Sequence, residues 1–207
     1  MTARIGVCDY GVGNMRSVER ALASAGATVV VSDDANVIAG CDGAVLPGVG
    51  AFAPAARLLR DRGLDAAITE LARRRMPILG VCLGFQLLFE HSTEGEGGDG
   101  LGLLRGEIER LVAPGLKVPH MGWNRLDMVR PSPLLNGLEP GAYVYFVHSY
   151  AANTDPEDVV ATADHGGVVV AACHHGAVMG TQFHPEKSGP AGLRIYANFA
   201  AACGAGR

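Results

Sequence analysis

The chain has 207 residues, of which 48% are hydrophobic and 18% charged, and these proportions are typical of a folded protein with a large buried core. Its 17 lysines and arginines stand against 21 acidic residues and give a net charge of −4, which argues against a nucleic-acid-binding protein because such proteins display a basic face. No linker or internal repeat interrupts the sequence, so we expect a single domain over residues 1–207.

The cysteines indicate a reducing environment. There are five, at positions 8, 41, 82, 173 and 203, an odd number with wide spacing and no C-x-x-C pair. We therefore expect free thiols, a cytoplasmic protein and no zinc site. We also expect no signal peptide, since Asp9 follows the apolar run Ile5–Cys8, and no stretch is long enough to span a bilayer.

The sequence predicts neither a metal site nor a cofactor site. The adjacent His174 and His175 have no carboxylate or cysteine partner at metal-ligand spacing, so they are expected to be surface or packing residues. There is also no phosphate-binding loop of the G-x-x-x-x-G-K-[ST] type.

The first half of the chain alternates strand-length apolar runs with helical patterns. This alternation predicts a doubly wound α/β unit with a largely parallel sheet and helices on both faces. The loops after the strands, residues 10–14, 47–50 and 82–83, should gather at the carboxyl edge of the sheet, where such folds bind ligands. In chain order we predict strand Ile5–Asp9, helix Met15–Ala25, strands Thr28–Val31 and Gly43–Leu46, a long helix from about Pro54 to Arg74, and a strand that opens at Pro77.

The strand that opens at Pro77 leads into Gly80-Val-Cys82-Leu-Gly84, the sulfur version of a nucleophile elbow. In such a turn the nucleophile has a strained backbone, and the glycine on each side lets the strand and the following helix pack closely. We expect Cys82 to project into solvent, with the helix that starts near Leu83 favouring its thiolate. The pattern predicts acyl transfer through a thioester, although a buried cysteine in a glycine-rich turn would show the same spacing.

From Leu101 onward, short runs separated by turn residues predict antiparallel extensions of the sheet. The loop Glu94–Gly100 is predicted to be a mobile surface loop from its glycine and charge content. A final helix is predicted from about Pro190 to Ala202, with Ser188 as its N-cap. The predicted strands of this half are Arg105–Val112, Trp123–Arg130, Ala142–Ala151, Val159–Ala163, Val168–His174 and Ala177–Phe183.

The last of these runs leads into Thr181-Gln-Phe-His184-Pro-Glu186, which offers a cysteine nucleophile a base and a group to orient that base. In an extended segment residues two apart point the same way, so His184 and Glu186 would share a side. A carboxylate beside the imidazole fixes its tautomer and raises its basicity. Together with Cys82, these residues predict a Cys-His-Glu triad.

These two segments, together with Leu46-Pro-Gly-Val49-Gly50, resemble the class I (triad) glutamine amidotransferases. The resemblance implies a three-layer α/β fold with antiparallel extensions and a glutaminase that uses no cofactor. It also implies an oxyanion hole formed by the N–H of Leu83 and by one N–H from Val49 or Gly50. The glycines of this segment would let its peptide rotate at little cost.

Three further blocks narrow the resemblance within the family: residues 9–14 (Asp-Tyr-Gly-Val-Gly-Asn), 119–124 (Pro-His-Met-Gly-Trp-Asn) and 145–150 (Tyr-Phe-Val-His-Ser-Tyr). They are similar to the glutaminase subunits of imidazole glycerol phosphate synthase, which supply ammonia to a (β/α)8-barrel cyclase subunit in histidine biosynthesis. The resemblance therefore implies glutamine as substrate and a heterodimer with such a cyclase. The chain departs from the pattern at Phe85, where a Met is frequent, without affecting the triad.

The resemblance also assigns residues around the triad. Those assigned to glutamine binding are Gln86, Glu94, His148, Ser149 and Tyr150. Those placed around the mouth of the site, where the cyclase would dock, are Asn14, Trp123, Asn124, Tyr145 and Lys187. Slow glutamine turnover in the absence of the partner is implied as well, with rotation of a peptide in residues 47–50 completing the oxyanion hole.

Two other functions remain open from the residues alone. One is a glutaminase subunit for another pathway, such as anthranilate, aminodeoxychorismate or pyridoxal phosphate synthesis, which would be favoured if residues 119–124 were buried core. The other is a binding module in which Cys82 is a redox-sensing thiol. His184 and Glu186 argue against the sensor, because a sensor needs a low-pKa thiol but no oriented base.

Overall fold

The structure, a computed structural model, describes residues 2–205, which form three β-sheets with helices packed around them. The helices are α1 (Met15–Ser24), α2 (Ala35–Ala39), α3 (Phe52–Asp61), α4 (Leu64–Arg73), α5 (Leu83–Gln86) and α6 (Gly189–Ala205), with short 3-10 helices at Pro133–Leu135 and Pro185–Lys187. The strands are β1 (Arg4–Cys8), β2 (Thr28–Ser32), β3 (Gly43–Leu46), β4 (Ile78–Val81), β5 (His91–Ser92), β6 (Gly98–Asp99), β7 (Glu107–Arg110), β8 (His120–Arg125), β9 (Asp127–Met128), β10 (Tyr143–His148), β11 (Tyr150–Asn153), β12 (Val159–Asp164), β13 (Val168–His175) and β14 (Val178–Thr181).

The largest sheet has eight strands in the spatial order β2-β1-β3-β4-β14-β13-β12-β9. The strands from β2 to β14 run parallel, and β13, β12 and β9 continue the sheet with antiparallel pairing. This arrangement confirms the predicted largely parallel sheet with antiparallel extensions. Because β4 and β14 are neighbours, the nucleophile turn and the segment that carries His184 leave the sheet side by side.

Helices cover both faces of this sheet and complete three layers. α1 and α6 pack on one face, where Leu22 and Phe199 are buried. α2, α3 and α4 pack on the other face, where Leu59 and Leu71 are buried. A parallel sheet covered on both faces needs apolar side chains at successive strand positions, and this is why its strands appear as continuous apolar runs in the sequence.

The helical segments differ from the prediction in two places. The predicted helix Pro54–Arg74 is divided into α3 and α4, because Gly63 between them has a φ of +65°, a left-handed conformation that redirects the chain. The prediction also missed α2, a short helix capped by the Asp34 carboxylate, which accepts a hydrogen bond from the Asn36 N–H at 2.8 Å.

Two predicted strands of the second half are each divided between sheets. The run Ala142–Ala151 bends at Ser149, so that β10 pairs with β8 in a two-stranded sheet while β11 joins β7, β5 and β6. The run Trp123–Arg130 divides at Leu126 into β8 and β9 in the same way. The end of the predicted loop Glu94–Gly100 forms β6 and pairs with β5.

The two-stranded β8–β10 sheet packs on the layer formed by α1 and α6, into which β10 buries Val144 and Phe146. It is also joined to the end of β14, since the His184 N–H donates to the Tyr145 carbonyl oxygen at 2.9 Å. These contacts place the β8–β10 sheet next to the carboxyl edge of the main sheet.

Candidate active site

The turn between β4 and α5 holds Cys82 in an uncommon backbone conformation, with φ 54° and ψ −108°. Non-glycine residues rarely adopt a positive φ, and such a conformation costs about 1–3 kcal/mol. Gly84 has no room for a side chain, since a Cβ there would overlap the Leu46 carbonyl oxygen, and a Cβ on Gly80 would lie 2.6 Å from the Phe85 Cα. The strained turn and the close glycine packing of a nucleophile elbow are therefore both present.

Cys82 does not project into solvent, contrary to the prediction. The residue is only 7% exposed, belongs to the core cluster that includes α1 and α6, and lines a pocket. The β8–β10 sheet covers the turn, and its Val147 carbonyl oxygen lies 4.0 Å from the Cys82 Sγ. The helix that follows, α5, is a single turn, so it provides the N–H groups of a helix start but only a short dipole.

The register between β4 and β14 places the segment of the predicted base beside the nucleophile. Thr181 pairs with Val81, and the Cys82 N–H donates to the Thr181 carbonyl oxygen at 2.8 Å. His184 follows three residues after Thr181 and therefore emerges next to the cysteine turn. The pairing of β4 with β14 therefore brings together two residues that lie about a hundred positions apart in the sequence.

His184 and Glu186 are in contact as predicted, but the backbone between them is not the predicted extended segment. Their Nδ1 and Oε1 atoms are 2.8 Å apart, and the two side chains are only 2% and 3% exposed. The segment Pro185–Lys187 is a 3-10 turn and not an extended chain, and the turn brings the carboxylate back to the ring. The second ring nitrogen, Nε2, is buried next to Cys82, and apart from Cys82 no described residue offers it a hydrogen-bond partner.

The electrostatics of the site favour a charged His184. Burial alone lowers the pKa of an imidazole, but hydrogen bonding and charge from Cys82 and Glu186 outweigh burial and raise the pKa of His184 to about 9. At neutral pH the ring is therefore an imidazolium between a sulfur and a carboxylate. Such a ring can give a proton to a leaving group and later accept one from water.

The segment of residues 47–50, predicted to complete the oxyanion hole, is anchored at its start and open at its end. The Tyr10 hydroxyl donates to the Pro47 carbonyl oxygen at 2.5 Å, which holds the beginning of the segment. Val49 is 43% exposed, and an added Cβ on Gly50, whose φ is +109°, would meet nothing within 4 Å. The Val49–Gly50 end therefore has space in which a peptide could turn.

The nucleophile turn, this segment and the β8–β10 sheet enclose a pocket of about 310 Å³, within the size range of small-ligand sites. All three residues predicted for the oxyanion hole and all five predicted for glutamine binding line the pocket, together with Cys82 and His184. The lining also includes Pro119 and Val147, which had no predicted role.

Two of the residues predicted to bind glutamine also hold the pocket wall in place. Gln86 Nε2 donates to the Tyr150 carbonyl oxygen at 3.0 Å and to Gln182 Oε1 at 3.1 Å. Glu94 Oε2 accepts from the Phe52 N–H at 2.8 Å, at the first turn of α3. These bonds join α5, α3 and the start of β11 around the pocket.

Gln182 is a residue of the site that the sequence analysis missed. It is fully buried, and its Nε2 lies 3.8 Å from the Cys82 Sγ, so it presents an amide donor to the sulfur. A long polar side chain inside the apolar run that ends at Phe183 was the available signal, because glutamine is seldom buried without a specific partner.

Three of the five residues assigned to the docking surface form one cluster, in which Trp123 and Lys187 are exposed and Tyr145 is half-buried. Trp123 and Tyr145 are cross-strand partners with ring centroids 6.2 Å apart, and Lys187 Nζ lies 5.6 Å from the centre of the Tyr145 ring. Trp123 is 56% exposed, so its block is not buried core. The Asn124 amide is hydrogen-bonded within the protein, and Asn14 lies exposed just before α1.

Within residues 2–205, no group of three or more His, Cys, Asp or Glu side chains is placed to hold a metal ion. In the same part of the chain, no helix combines the length and the apolar character needed to cross a membrane. The five cysteines are all free thiols.

Known proteins match the chain over nearly its whole length. A family model described as glutamine amidotransferase class-I matches residues 6–203. A protein of Bacillus cereus (strain G9842) named imidazole glycerol phosphate synthase subunit HisH is 49% identical over 195 residues, which cover 94% of this chain and 93% of that protein. The protein of the same name from Bacillus thuringiensis (strain Al Hakam) is 47% identical over 195 residues, again covering 94% and 93% of the two chains.

Solved structures share the fold at lower sequence identity. A crystal structure described as a glutamine amidotransferase has a TM-score of 0.76 at 20% identity and covers 97% of this chain and 98% of its own. The structure of PurLQS from Thermotoga maritima has a TM-score of 0.73 at 21% identity, with coverage of 96% and 98%. These matches establish the three-layer α/β fold.

Proposed function

The chain belongs to the glutamine amidotransferase class-I family, and we propose that it is the glutaminase subunit of an imidazole glycerol phosphate synthase. In this role it hydrolyses glutamine and passes the ammonia to a cyclase subunit in histidine biosynthesis. The Bacillus relatives that carry this name support the proposal because the match, at 49% identity for one of them, extends over 94% of the chain. We treat residues 1–207 as one glutamine amidotransferase domain, since both ends of the chain contribute elements to the same layered core.

The observation that carries the enzymatic part of the proposal is a strained cysteine that faces a buried His184–Glu186 pair. In the first step the Cys82 thiolate attacks the side-chain amide carbon of glutamine. The carbon–nitrogen bond breaks as His184 Nε2 gives its proton to the departing nitrogen, and ammonia leaves behind a thioester. An imidazolium at neutral pH is the protonation state that this step requires.

In the second step His184 Nε2 takes a proton from water, and the resulting hydroxide attacks the thioester carbonyl. The carbon–sulfur bond breaks, glutamate is released, and the thiolate–imidazolium pair is restored. Glu186 holds the ring through Nδ1 in both steps and stabilises its positive charge. We assign the oxyanion to the N–H of Leu83 and to one N–H of the Val49–Gly50 end, which line the pocket on the side of the nucleophile turn.

The cyclase is proposed to be a (β/α)8 barrel that docks on the cluster of Trp123, Tyr145 and Lys187. An exposed tryptophan beside a tyrosine and a cation is typical of the anchor residues of protein interfaces. A partner at this position would cover the mouth of the pocket and receive ammonia before bulk water protonates it. The outward position of Trp123 favours this pathway over the other glutaminase subunits, for which a buried block at 119–124 was the expectation.

The five free thiols are consistent with the cytoplasmic location that we propose. The redox-sensor alternative lacks support, because a sensor would have no use for the buried His184–Glu186 pair.

The decisive experiment measures glutamate release from glutamine by the purified chain alone and with different synthase subunits. The cyclase subunit of imidazole glycerol phosphate synthase with its ligand should stimulate turnover, and the synthase subunits for anthranilate, aminodeoxychorismate and pyridoxal phosphate should not. The Cys82→Ala chain, mixed with the same partners, is the control for contaminating glutaminase. Stimulation by one of the other synthases alone would assign the chain to that pathway.

A further inference from the structure

Behind the exposed face of the β8–β10 sheet lies a pair of buried histidines that the triad does not use. His120 and His148 are cross-strand partners, 3% and 6% exposed, and His120 Nδ1 lies 3.0 Å from His148 Nε2. His148 lines the proposed glutamine pocket, whereas His120, its partner on β8, does not. The pair therefore joins the pocket wall to the strand that carries Trp123.

Each hydrogen bond of this pair can run in one direction only. His148 Nδ1 lies 2.8 Å from the Tyr150 carbonyl oxygen, which can only accept, so in the neutral ring Nε2 is the acceptor. His120 Nδ1 must then be the donor to His148, and His120 Nε2 accepts from Asn124 Nδ2 at 3.0 Å. The same amide nitrogen also donates to the Asp164 carbonyl oxygen at 2.8 Å.

Both rings stay neutral near physiological pH. Burial, followed by the neighbouring histidines, lowers the pKa of His120 to about 3. Burial likewise lowers the pKa of His148 to about 4, against the opposing effect of its hydrogen bond to the Tyr150 backbone. Neither ring therefore gains a second N–H near physiological pH, and the donor and the acceptor of each hydrogen bond stay the same.

The His120 ring is also fixed in place by stacking. It lies between Phe146, at a centroid distance of 4.4 Å, and His165, at 4.2 Å. His165 is itself held by a contact of 2.9 Å between its Nε2 and the Lys117 carbonyl oxygen. A ring clamped on both faces presents its Nδ1 donor in one direction, which is the requirement for positioning another group.

The hydrogen bonds continue from this pair to the nucleophile. The Tyr150 carbonyl oxygen that accepts from His148 also accepts from Gln86 Nε2, at 3.0 Å. Gln86 donates in addition to Gln182, whose own amide nitrogen lies 3.8 Å from the Cys82 sulfur. The residues from His148 to Gln182 on this side of the pocket are thus joined by one connected set of hydrogen bonds, and His120 supports that set through its bond to His148.

We propose that His120 is a positioning residue for glutamine binding, which acts by donating a hydrogen bond to His148 and so fixing the pocket wall from His148 to Tyr150. Because His120 lies on β8, the strand that carries Trp123, its bond to His148 also ties that wall to the strand of the docking cluster. The inference rests on the proposed glutaminase function and deepens it. Loss of the donor would leave His148 Nε2 buried without a partner, so the wall would shift and glutamine would bind more weakly while the thiol keeps its reactivity.

The test uses three substitutions that separate the donor from the packing of the ring. His120→Asn places an amide N–H near the position of Nδ1, and His120→Leu has nearly the same size without a donor. His120→Phe keeps a ring for stacking and also has no donor. Labelling of Cys82 by a glutamine-analogue electrophile is measured against the concentration of the analogue, in parallel with labelling by iodoacetamide, a small reagent that reacts with the same sulfur without using the glutamine contacts.

We expect the Leu and Phe variants to raise the half-saturating concentration of the analogue about tenfold, the size expected for one unpaired buried acceptor. The Asn variant should stay within about threefold of wild type, and the limiting rate and the iodoacetamide rate should change by less than about twofold in all three, since the nucleophile is untouched. This split between binding and chemistry would not follow from a general loss of structure.

Other labelling results would contradict these proposals. If the wild-type chain shows no saturable labelling by the analogue, the glutaminase function itself fails. If the wild type saturates and the Phe variant saturates at the same concentration, His120 does not position the pocket. Equal losses in the Asn and Leu variants, or equal losses with both reagents, would give His120 a packing role and overturn the inference.

Discussion

Two walls of the proposed glutamine pocket, the main-sheet wall at the ends of β4 and β14 and the β8–β10 wall formed by the two-stranded sheet, bury histidines whose pKa values shift in opposite directions. On the main-sheet wall, His184 lies between a thiol and a carboxylate, and its pKa is raised to about 9 despite burial. On the β8–β10 wall, His120 and His148 bond to each other and to uncharged groups, and burial lowers their pKa values to about 3 and about 4. Histidine thus serves as a charged acid where negative partners surround it, and as a directional donor and acceptor where they do not.

The largest expected effect comes from removing the nucleophile of the main-sheet wall. Cys82→Ala should lower glutamine hydrolysis by at least about 10³-fold, because the nucleophile and its base act as a unit. Affinity for the cyclase should be unchanged, since the docking cluster belongs to the other wall. Glutamate release and partner binding measure the two effects, and hydrolysis at the wild-type rate would contradict the thioester mechanism.

The labelling pattern of the wild-type chain provides the control for this prediction. A glutamine-analogue electrophile should label Cys82 and spare the other four cysteines, which are buried and whose pKa values are raised by burial. Mass spectrometry of the labelled peptides identifies the site. Labelling that persists in Cys82→Ala would show that the reagent does not report on the pocket.

The next effect separates the base from the group that orients it. His184→Ala should lower turnover by about 10²–10⁴-fold, and Glu186→Gln by less, because the amide removes charge and orientation but leaves the base. The double substitution Cys82→Ala with His184→Ala should be little worse than either single one. Steady-state turnover measures all of these, and additive losses would mean that the two residues act independently.

A third prediction tests whether the nucleophile turn depends on close packing. Gly84→Ala should destabilise the protein by about 3 kcal/mol or more, since the new Cβ would overlap the Leu46 carbonyl oxygen. Gly204→Ala is the matched control, because that glycine lies in α6 with open space around it, and it should stabilise by up to about 1 kcal/mol. Urea unfolding measures both, and equal stabilities would mean that the turn repacks without strain.

The corresponding change in the other wall should affect docking and leave chemistry intact. Trp123→Ala combined with Lys187→Ala should weaken binding to the cyclase about 10- to 100-fold, as expected for central aromatic and cationic anchors. Labelling of Cys82 in the isolated chain should not change. Arg73→Ala is the control, an exposed cation on α4 in the opposite layer. Wild-type affinity and wild-type stimulation in the double variant would remove this surface as the docking face.

The smallest expected effect is the pH dependence of the free energy of unfolding, which has opposite signs for the histidines of the two walls. The pKa of His184 is raised from 6.5 to about 9, so its stabilisation is complete below pH 6.5 and is lost as the pH rises through 9, by at most about 1.4 kcal/mol per pH unit. The pKa values of His120 and His148 are lowered from 6.5, so their stabilisation is present above pH 6.5 and is lost as the pH falls.

Urea unfolding as a function of pH measures both limbs of this profile. His184→Gln should flatten the alkaline limb alone, and His120→Phe should flatten part of the acid limb alone. The same flattening of both limbs by either substitution would show that the two walls do not titrate separately.

The main-sheet wall could be predicted in outline because its signals are local. The glycines around Cys82 and the spacing of His184 and Glu186 lie within short segments, so the turn and the His–Glu contact could be predicted, although Pro185–Lys187 forms a 3-10 turn and not the predicted extended chain. Exposure of Cys82 was predicted wrongly because its cover comes from the β8–β10 sheet, which lies far away in the sequence. The break at Gly63 was missed because the apolar pattern continues across it.

The β8–β10 wall could not be predicted to the same degree. The pairing of His120 with His148 depends on the register of two strands separated by a long connection, and a shift of one residue would turn every side chain to the opposite face. Trp123 stood out in the sequence by its rarity, but nothing local indicated that it faces outward while Asn124 bonds inward.

The ladder between β4 and β14 has a consequence for how such enzymes can diverge. Because Thr181 is held opposite Val81, the distance from the sulfur of Cys82 to the imidazole of His184 is set by two adjacent strand ends and not by the path of the chain between them. Doubling the length of a flexible connection costs only about 0.6 kcal/mol. The intervening segment, including the strand that carries Trp123, can therefore acquire insertions and new partners over evolutionary time while descendants inherit the same hydrolytic chemistry.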